Sequence, residues 1–232
     1  MRMQPYLAVF ASITMFATAD SEPDRMAGLE EAARVAGIKK ELVLDPQRRP
    51  ELVEALRRRI IQGYVDEQAF KSRLRRLNPP KGQYGELRRP YLETKGKGFD
   101  RALFLASELS CVELVPLLVS RGDMGVLDYG GPYQKGESAR AVKAIVAMGP
   151  TAIGPLFEIV ERSPRAKERY YALSALQVGQ TAWKDDLDGK GLVERLEEQC
   201  DTSKTTVRLA LGLLKGEIRD VRTAAGEDLD RR

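Results

Sequence analysis

Chemistry at neutral pH needs a nucleophile, a proton carrier or a set of metal ligands, and this chain of 232 residues carries few of them. It has no histidine. That removes imidazole general bases, Ser-His-Asp triads and His-containing zinc sites in one step. Two cysteines, Cys111 and Cys200, are too few for a four-thiolate metal site or a dense disulfide framework. Each lies in an apolar helical context, where a buried thiol acts as a small hydrophobe. Pairing of the two in an oxidising space stays open and demands a tight geometry.

Carboxylates are the remaining candidates. Glu30/Glu31, Glu197/Glu198 and Asp185/Asp186 are adjacent pairs. Adjacent positions on a helix point about 100° apart, so such pairs suit solvent-facing surfaces better than a shared acid–base pocket. The run Asp185-Asp186-Leu187-Asp188-Gly189 has the composition of a calcium loop. With Gly189 at the sixth position, however, Lys184 and Arg195 fall where that loop needs carboxylates. A solvated turn with Asp188 capping the next helix is expected instead. Trp183, beside these acids, could stack on a nucleobase or pack over its own turn; the second is expected. No G-x-S-x-G, G-x-x-x-x-G-K-[ST] or G-x-G-x-x-G occurs. No catalytic, cofactor-binding or metal-binding residue is assigned, no cofactor is expected, and the chain reads as a non-enzymatic protein.

Binding chemistry is better represented. Residues 20–47 carry 4 basic and 7 acidic side chains, residues 48–101 carry 15 and 7, and residues 102–232 carry 18 and 20. The excess of positive charge therefore belongs to residues 48–101 and not to the chain as a whole. Its densest points are Arg57, Arg58 and Arg59, and then Arg73, Arg75 and Arg76. An Arg-rich segment attracts an anionic surface, a polyanion or an acidic partner, or is simply the solvated side of amphipathic helices. A second candidate is the long break Gly122–Gly136, which holds Tyr129 and Tyr133. Long loops in compact folds often bind, and tyrosine is a frequent recognition residue. A tolerated insertion is the alternative.

The elements that must carry these residues are helices. Leu52, Val53, Leu56 and Ile60 share a face, Gly63 reads as a stop and Asp66 as the cap of a second helix with Phe70, Leu74 and Leu77. Asn78-Pro79-Pro80 ends it. This run, LVEALRRRIIQGYVDEQAFKSRLRRL, resembles the two-helix short C-terminal (SHOCT) module. Residues 79–98, with Pro79, Pro80, Gly82, Gly85, Pro90, Gly96 and Gly98, read as a linker. From Phe99 short Ala- and Leu-rich helices follow in pairs: 99–108 with 111–120, 137–148 with 151–162, 163–178 with 189–199, and 203–215 opening a fourth.

Similar triplets recur along these pairs. Val115-Pro116-Leu117 returns as Gly154-Pro155-Leu156, and Ala172-Leu173-x-x-Leu176 as Ala210-Leu211-x-x-Leu214. The offsets, 39 and 38 residues, belong to α-solenoids, in which each hairpin hides its apolar face only against its neighbours. The stretch from Arg140 to Leu156 resembles a HEAT or HEAT-like repeat. The expected fold is all-α: antiparallel helical hairpins stacked as a short HEAT-like α-solenoid over residues 99–216, preceded by a small two-helix segment within 20–78 and followed by a charged tail, 217–232. A non-repeat bundle of the same hairpins is the alternative. The resemblance implies a scaffold or adaptor for another protein; some HEAT-like proteins are DNA glycosylases and others bilin lyases. A cytoplasmic nucleic-acid-binding protein is therefore the second reading, although net negative charge over residues 102–232 is the wrong sign for gripping phosphates.

The amino terminus bears on compartment. Arg2, the apolar stretch Tyr6–Phe16 and Ala17-Thr18-Ala19 together have the form of a secretory signal peptide with cleavage after Ala19. An uncleaved buried helix is the other reading. Export would place the protein in the periplasm or outside the cell, and would make nucleic acid an improbable ligand.

Overall fold

The computed structural model describes residues 33–43, 45–78, 83, 86–87, 97–122, 140–187 and 191–226. The described residues form helices and turns, with no strand among them. The chain divides into two compact units, Met1–Leu52 and Val53–Arg232. In the first, α1 (residues 33–43) is followed by a 3-10 turn at Pro46–Arg48. Asp45 caps that turn by accepting from the Gln47 N–H at 3.2 Å, and Arg48 pairs with Glu41 at 3.1 Å.

The helix α2 runs unbroken from Arg49 to Leu77. This corrects the expectation of two helices parted at Gly63. The reason lies in the buried positions: Val53, Leu56, Ile60, Gly63, Glu67 and Leu74, joined by half-buried Phe70, follow a 3,4 spacing that keeps one seam on one side for about six turns. A break would have put the two halves out of register. Asp66 lies inside the helix rather than at the start of one, and its carboxylate accepts from Gln62 Nε2 one turn back, at 3.2 Å. Gly63 serves packing. A Cβ there would stand 2.5 Å from Cδ2 and 2.9 Å from Cβ of Phe99, which is itself 1% exposed. Glu67, buried on the same seam, is held by Lys71 one turn on.

Shorter helices follow among the described residues: α3 Lys97–Glu108, α4 Val115–Ser120, α5 Arg140–Ala147, α6 Ile153–Arg162, α7 Ala166–Ala182, α8 Leu192–Gln199, α9 Thr205–Leu214 and α10 Val221–Ala225. The breaks are those the sequence marks. Gly149, at φ 79°, makes a turn that side chains resist, and Pro150 opens the next turn. Pro116 occupies the first turn of α4, where its missing N–H costs nothing.

These helices stack as a short α-solenoid in two layers. Asp100 and Arg140, near the starts of α3 and α5, form an ion pair, and Ser110 Oγ donates to the Met148 carbonyl where the two helices end, at 3.3 Å. Both ends are thus in step, so α3 and α5 run parallel. The next two contacts repeat the pattern: Trp183 Nε1 donates to Val146 at 2.8 Å, and Gln180 Nε2 to Leu214 at 3.3 Å. The C-terminal ends of α5, α7 and α9 are aligned by them. In the second layer α4 packs on α6. Glu161 at the end of α6 accepts from the Asp201 N–H at 3.1 Å and from Lys204 at 3.2 Å, just past the end of α8.

The C-terminal end differs from the expected tail. Within residues 217–232 lies α10, capped by Asp220 at its start and by Gly226, at φ 73°, at its end. It packs on α7 and α9, burying Ala224 and Ala225. Arg169 fastens it. That side chain, 4% exposed, donates from Nε to the Ala225 carbonyl and from Nη1 to the Ser163 carbonyl, both at 2.7 Å. One buried guanidinium thereby satisfies carbonyls at the ends of two helices, α6 and α10.

Helix propensity alone makes Gly63→Ala stabilising by about 1 kcal/mol. The packing reverses the sign: the expected effect is a loss of about 1–3 kcal/mol, because Phe99 has nowhere to move. Urea denaturation measures it, with Gly63→Ala/Phe99→Leu recovering part of the loss. A Gly63→Ala protein as stable as the parent would contradict the close approach.

Candidate interaction surface

The outward face of α2 is the site the sequence singles out most strongly. One helix now carries both Arg clusters. Eighteen residues are five full turns, so Arg58 and Arg76 point the same way about 27 Å apart, and so do Arg57 and Arg75. Arg57 and Arg58 share the carboxylate of Glu54, each at 3.4 Å. Arg59, Arg73, Arg75 and Arg76 are exposed and have no ion-pair partner among the described residues. The six arginines lie on the sides of α2 away from the seam, and the helix backbone sets their spacing.

Between the clusters the same face is apolar. Ile61 is 39% exposed and Val65 53%, with exposed Ala69 one turn further. Arg58, Ile61, Val65, Ala69, Ser72 and Arg76 form one stripe at 3,4 spacing, every member exposed. Sequence reading missed the middle of this stripe because a supposed break at Gly63 hid the phase relation between Ile61 and Val65. It also placed Leu77 on the buried face, whereas Leu77 is 54% exposed.

Tyr129 and Tyr133 lie outside the described residues. The structure shows the two anchor points of their segment. Gly122 packs so tightly on Tyr171 that a Cβ would stand 2.1 Å from the ring. The neighbouring Arg121 guanidinium lies over the Tyr64 ring of α2, 4.7 Å from its centre. The segment rejoins at Arg140, which pairs with Asp100.

The other candidates resolve into structural roles or surface. Trp183 is 2% exposed, covers Gly179 and ties α7 to α5, so its ring is not available to stack on a base. Asp185 and Asp186 are exposed on a 3-10 turn; Asp188, Gly189, Glu30 and Glu31 lie outside the described residues. Glu197 binds Lys215 at 2.8 Å, which raises the Lys215 pKa. No group of three or more potential metal ligands occurs among the described residues. In the first unit an open cleft of about 270 Å³ is lined by Ile38, Leu42, Leu52, Glu41, Glu51 and Arg48. The cysteines are not joined: Cys111 is buried and Cys200 half-buried. Burial first, and then the Glu161 carboxylate, push the Cys200 thiol above its ordinary pKa.

No family model, curated protein or solved structure matches this chain. Its functional reading therefore rests on its own geometry.

Two measurements check the electrostatics. Cys200 should react with a thiol-specific disulfide reagent more slowly than a free thiol at the same pH, and Cys111 only after unfolding; rapid labelling of either would contradict their burial. Glu161 is held below its ordinary pKa by the Asp201 N–H first and Lys204 second. A carboxylate with a lowered folded pKa stabilises above its unfolded value, and the contribution is lost as pH falls through the folded one. The stability difference between the parent and Glu161→Gln should be full at neutral pH and shrink on acidification. A pH-independent difference would assign the contact no charge.

Proposed function

We propose that this chain is a non-enzymatic interaction scaffold of HEAT-like type, exported by way of residues 1–19 to the periplasm or the outside, and that it engages another protein through the outward face of α2. One observation carries the reading. The large hydrophobic side chains left exposed among the described residues are Val43, Ile61, Val65, Leu77 and Leu87, and none belongs to residues 97–226. Among the described residues the stack hides its large apolar side chains, while α2, which packs on it through Phe99, keeps part of its own exposed beside arginines. Isolated exposed aliphatics mean little, but Ile61 and Val65 side by side on one helix face, edged by charge, have the makeup of an interface. Tyr129 and Tyr133 are a second contact on this reading.

Photocrosslinking in an exporting host tests it. A benzophenone side chain at position 65 should yield adducts with a protein, and one at the exposed position 143 on the stack should not. The mature chain should lack residues 1–19 by intact mass. Adducts from neither position, or with nucleic acid, would remove the scaffold reading; an uncleaved amino terminus would remove export.

A further inference from the structure

We infer that the partner of α2 is an amphipathic helix whose apolar centre is flanked at both ends by acidic residues, a deepening that rests on the scaffold reading above. The stripe Arg58, Ile61, Val65, Ala69, Ser72 and Arg76 has the 3,4 spacing by which one helix packs along another. It is the second such stripe on α2. The first, from Val53 to Leu74, is already buried, so the helix is built to pack on both sides.

The order of chemistry along the stripe selects the occupant. Small and β-branched side chains fill the centre over about two turns, which lets a facing helix approach closely. Arginines close both ends, and at the C-terminal end Arg73, Arg75 and Arg76 have no ion-pair partner among the described residues. A carboxylate opposite the C-terminal end would meet a guanidinium able to take it in two parallel hydrogen bonds, and one opposite the N-terminal end would meet the N–H groups of Arg58 that Glu54, 3.4 Å from its Nε, leaves open.

The competing occupants fit less well. A second copy of the chain sets an Arg-bearing end on an Arg-bearing end whether the two helices run parallel or antiparallel, so like charges face each other in either case. A lipid surface is held by bulky residues such as Leu, Phe and Trp at the apolar face, and this centre offers Ile61, Val65 and Ala69. A nucleic acid presents phosphates continuously, whereas these clusters are about 27 Å apart with an apolar gap between them.

The test uses the full chain and a synthetic helical peptide. The peptide carries Glu residues at two positions 18 apart and Leu or Ala at the intervening 3,4 positions. Fluorescence anisotropy should show saturable binding, weakened at least tenfold by Arg58→Glu/Arg76→Glu and at least tenfold by Val65→Asp. All three sites are exposed, and circular dichroism confirms that the variants fold. A peptide with Lys in place of Glu should not bind. The inference is overturned if the acidic peptide fails to saturate, if a scrambled peptide of the same composition binds equally, or if Val65→Asp changes nothing. It is equally overturned if vesicles of phosphatidylglycerol and phosphatidylcholine, or a 20-base-pair duplex, bind where the peptide does not. The two readings fail separately. A native protein partner whose binding ignores all the α2 substitutions removes the acidic helix and leaves the scaffold, whereas crosslinks from neither surface remove the scaffold itself.

Discussion

Most of the helices in the stack have 12 residues or fewer, and helices of that length are marginal by themselves in water. Each persists because its apolar side faces a neighbour. The architecture therefore depends on keeping successive helices in register, and sequence-distant contacts at the helix ends do this. Asp100 with Arg140, Ser110 with Met148, Trp183 with Val146 and Gln180 with Leu214 each join one parallel helix to the next. Three of the four end on a main-chain carbonyl in or just past the last turn of a helix, where acceptor capacity is spare. The Val146 carbonyl also accepts from the Gly149 N–H at 3.1 Å, and the Met148 carbonyl from Thr151 Oγ1 at 3.0 Å. These contacts set the register, and a slip of one residue would forfeit them.

A stack of this kind has two open ends, and the chain treats them differently. At the C-terminal end α10 lies over α7 and α9 and is fixed by Arg169. The guanidinium is nearly fully buried, which is tolerable because its bonds to Ala225 and Ser163 are short and directed at carbonyls carrying the negative end of a helix dipole. At the N-terminal end α2 presses Gly63 against Phe99. A helix of 29 residues is longer than the helices it meets, and its outer side is left to solvent. One end element is thus fastened over the stack, while the other leaves a face exposed.

Much of the fold was legible in the residues. The hairpins from Phe99 onward appear within a few residues of where Gly, Pro and Ala/Leu periodicity place them, because short amphipathic helices announce both their faces and their breaks. Two features were not. Gly63 reads locally as a stop, yet its role is set by Phe99, 36 residues away, and no local pattern encodes that approach. Residues 221–225 are too short and too charged in context for a helical pattern to stand out; α10 exists because Asp220, Gly226 and Arg169 hold it. The Arg clusters were legible as residue types. Their common bearing was not, since phase carries over from Arg58 to Arg76 only if the helix between them is continuous.

That continuity has a consequence for specificity. On two helices joined by a turn, the clusters would present separate charges at a variable distance, and any polyanion could satisfy them. On one rigid helix their separation is fixed by 18 residues of backbone at 1.5 Å each, and the ground between them is apolar rather than charged. On the proposed mode of binding, electrostatics of this form discriminates by spacing: a partner would gain both ends only with its own charges about five turns apart, and would bury Ile61 and Val65 in bringing them there. Exposed arginines alone give weak, salt-screened attraction. Coupled to a central apolar contact, they would become a measure of length, one that the unbroken helix past Gly63 and Phe99 holds constant.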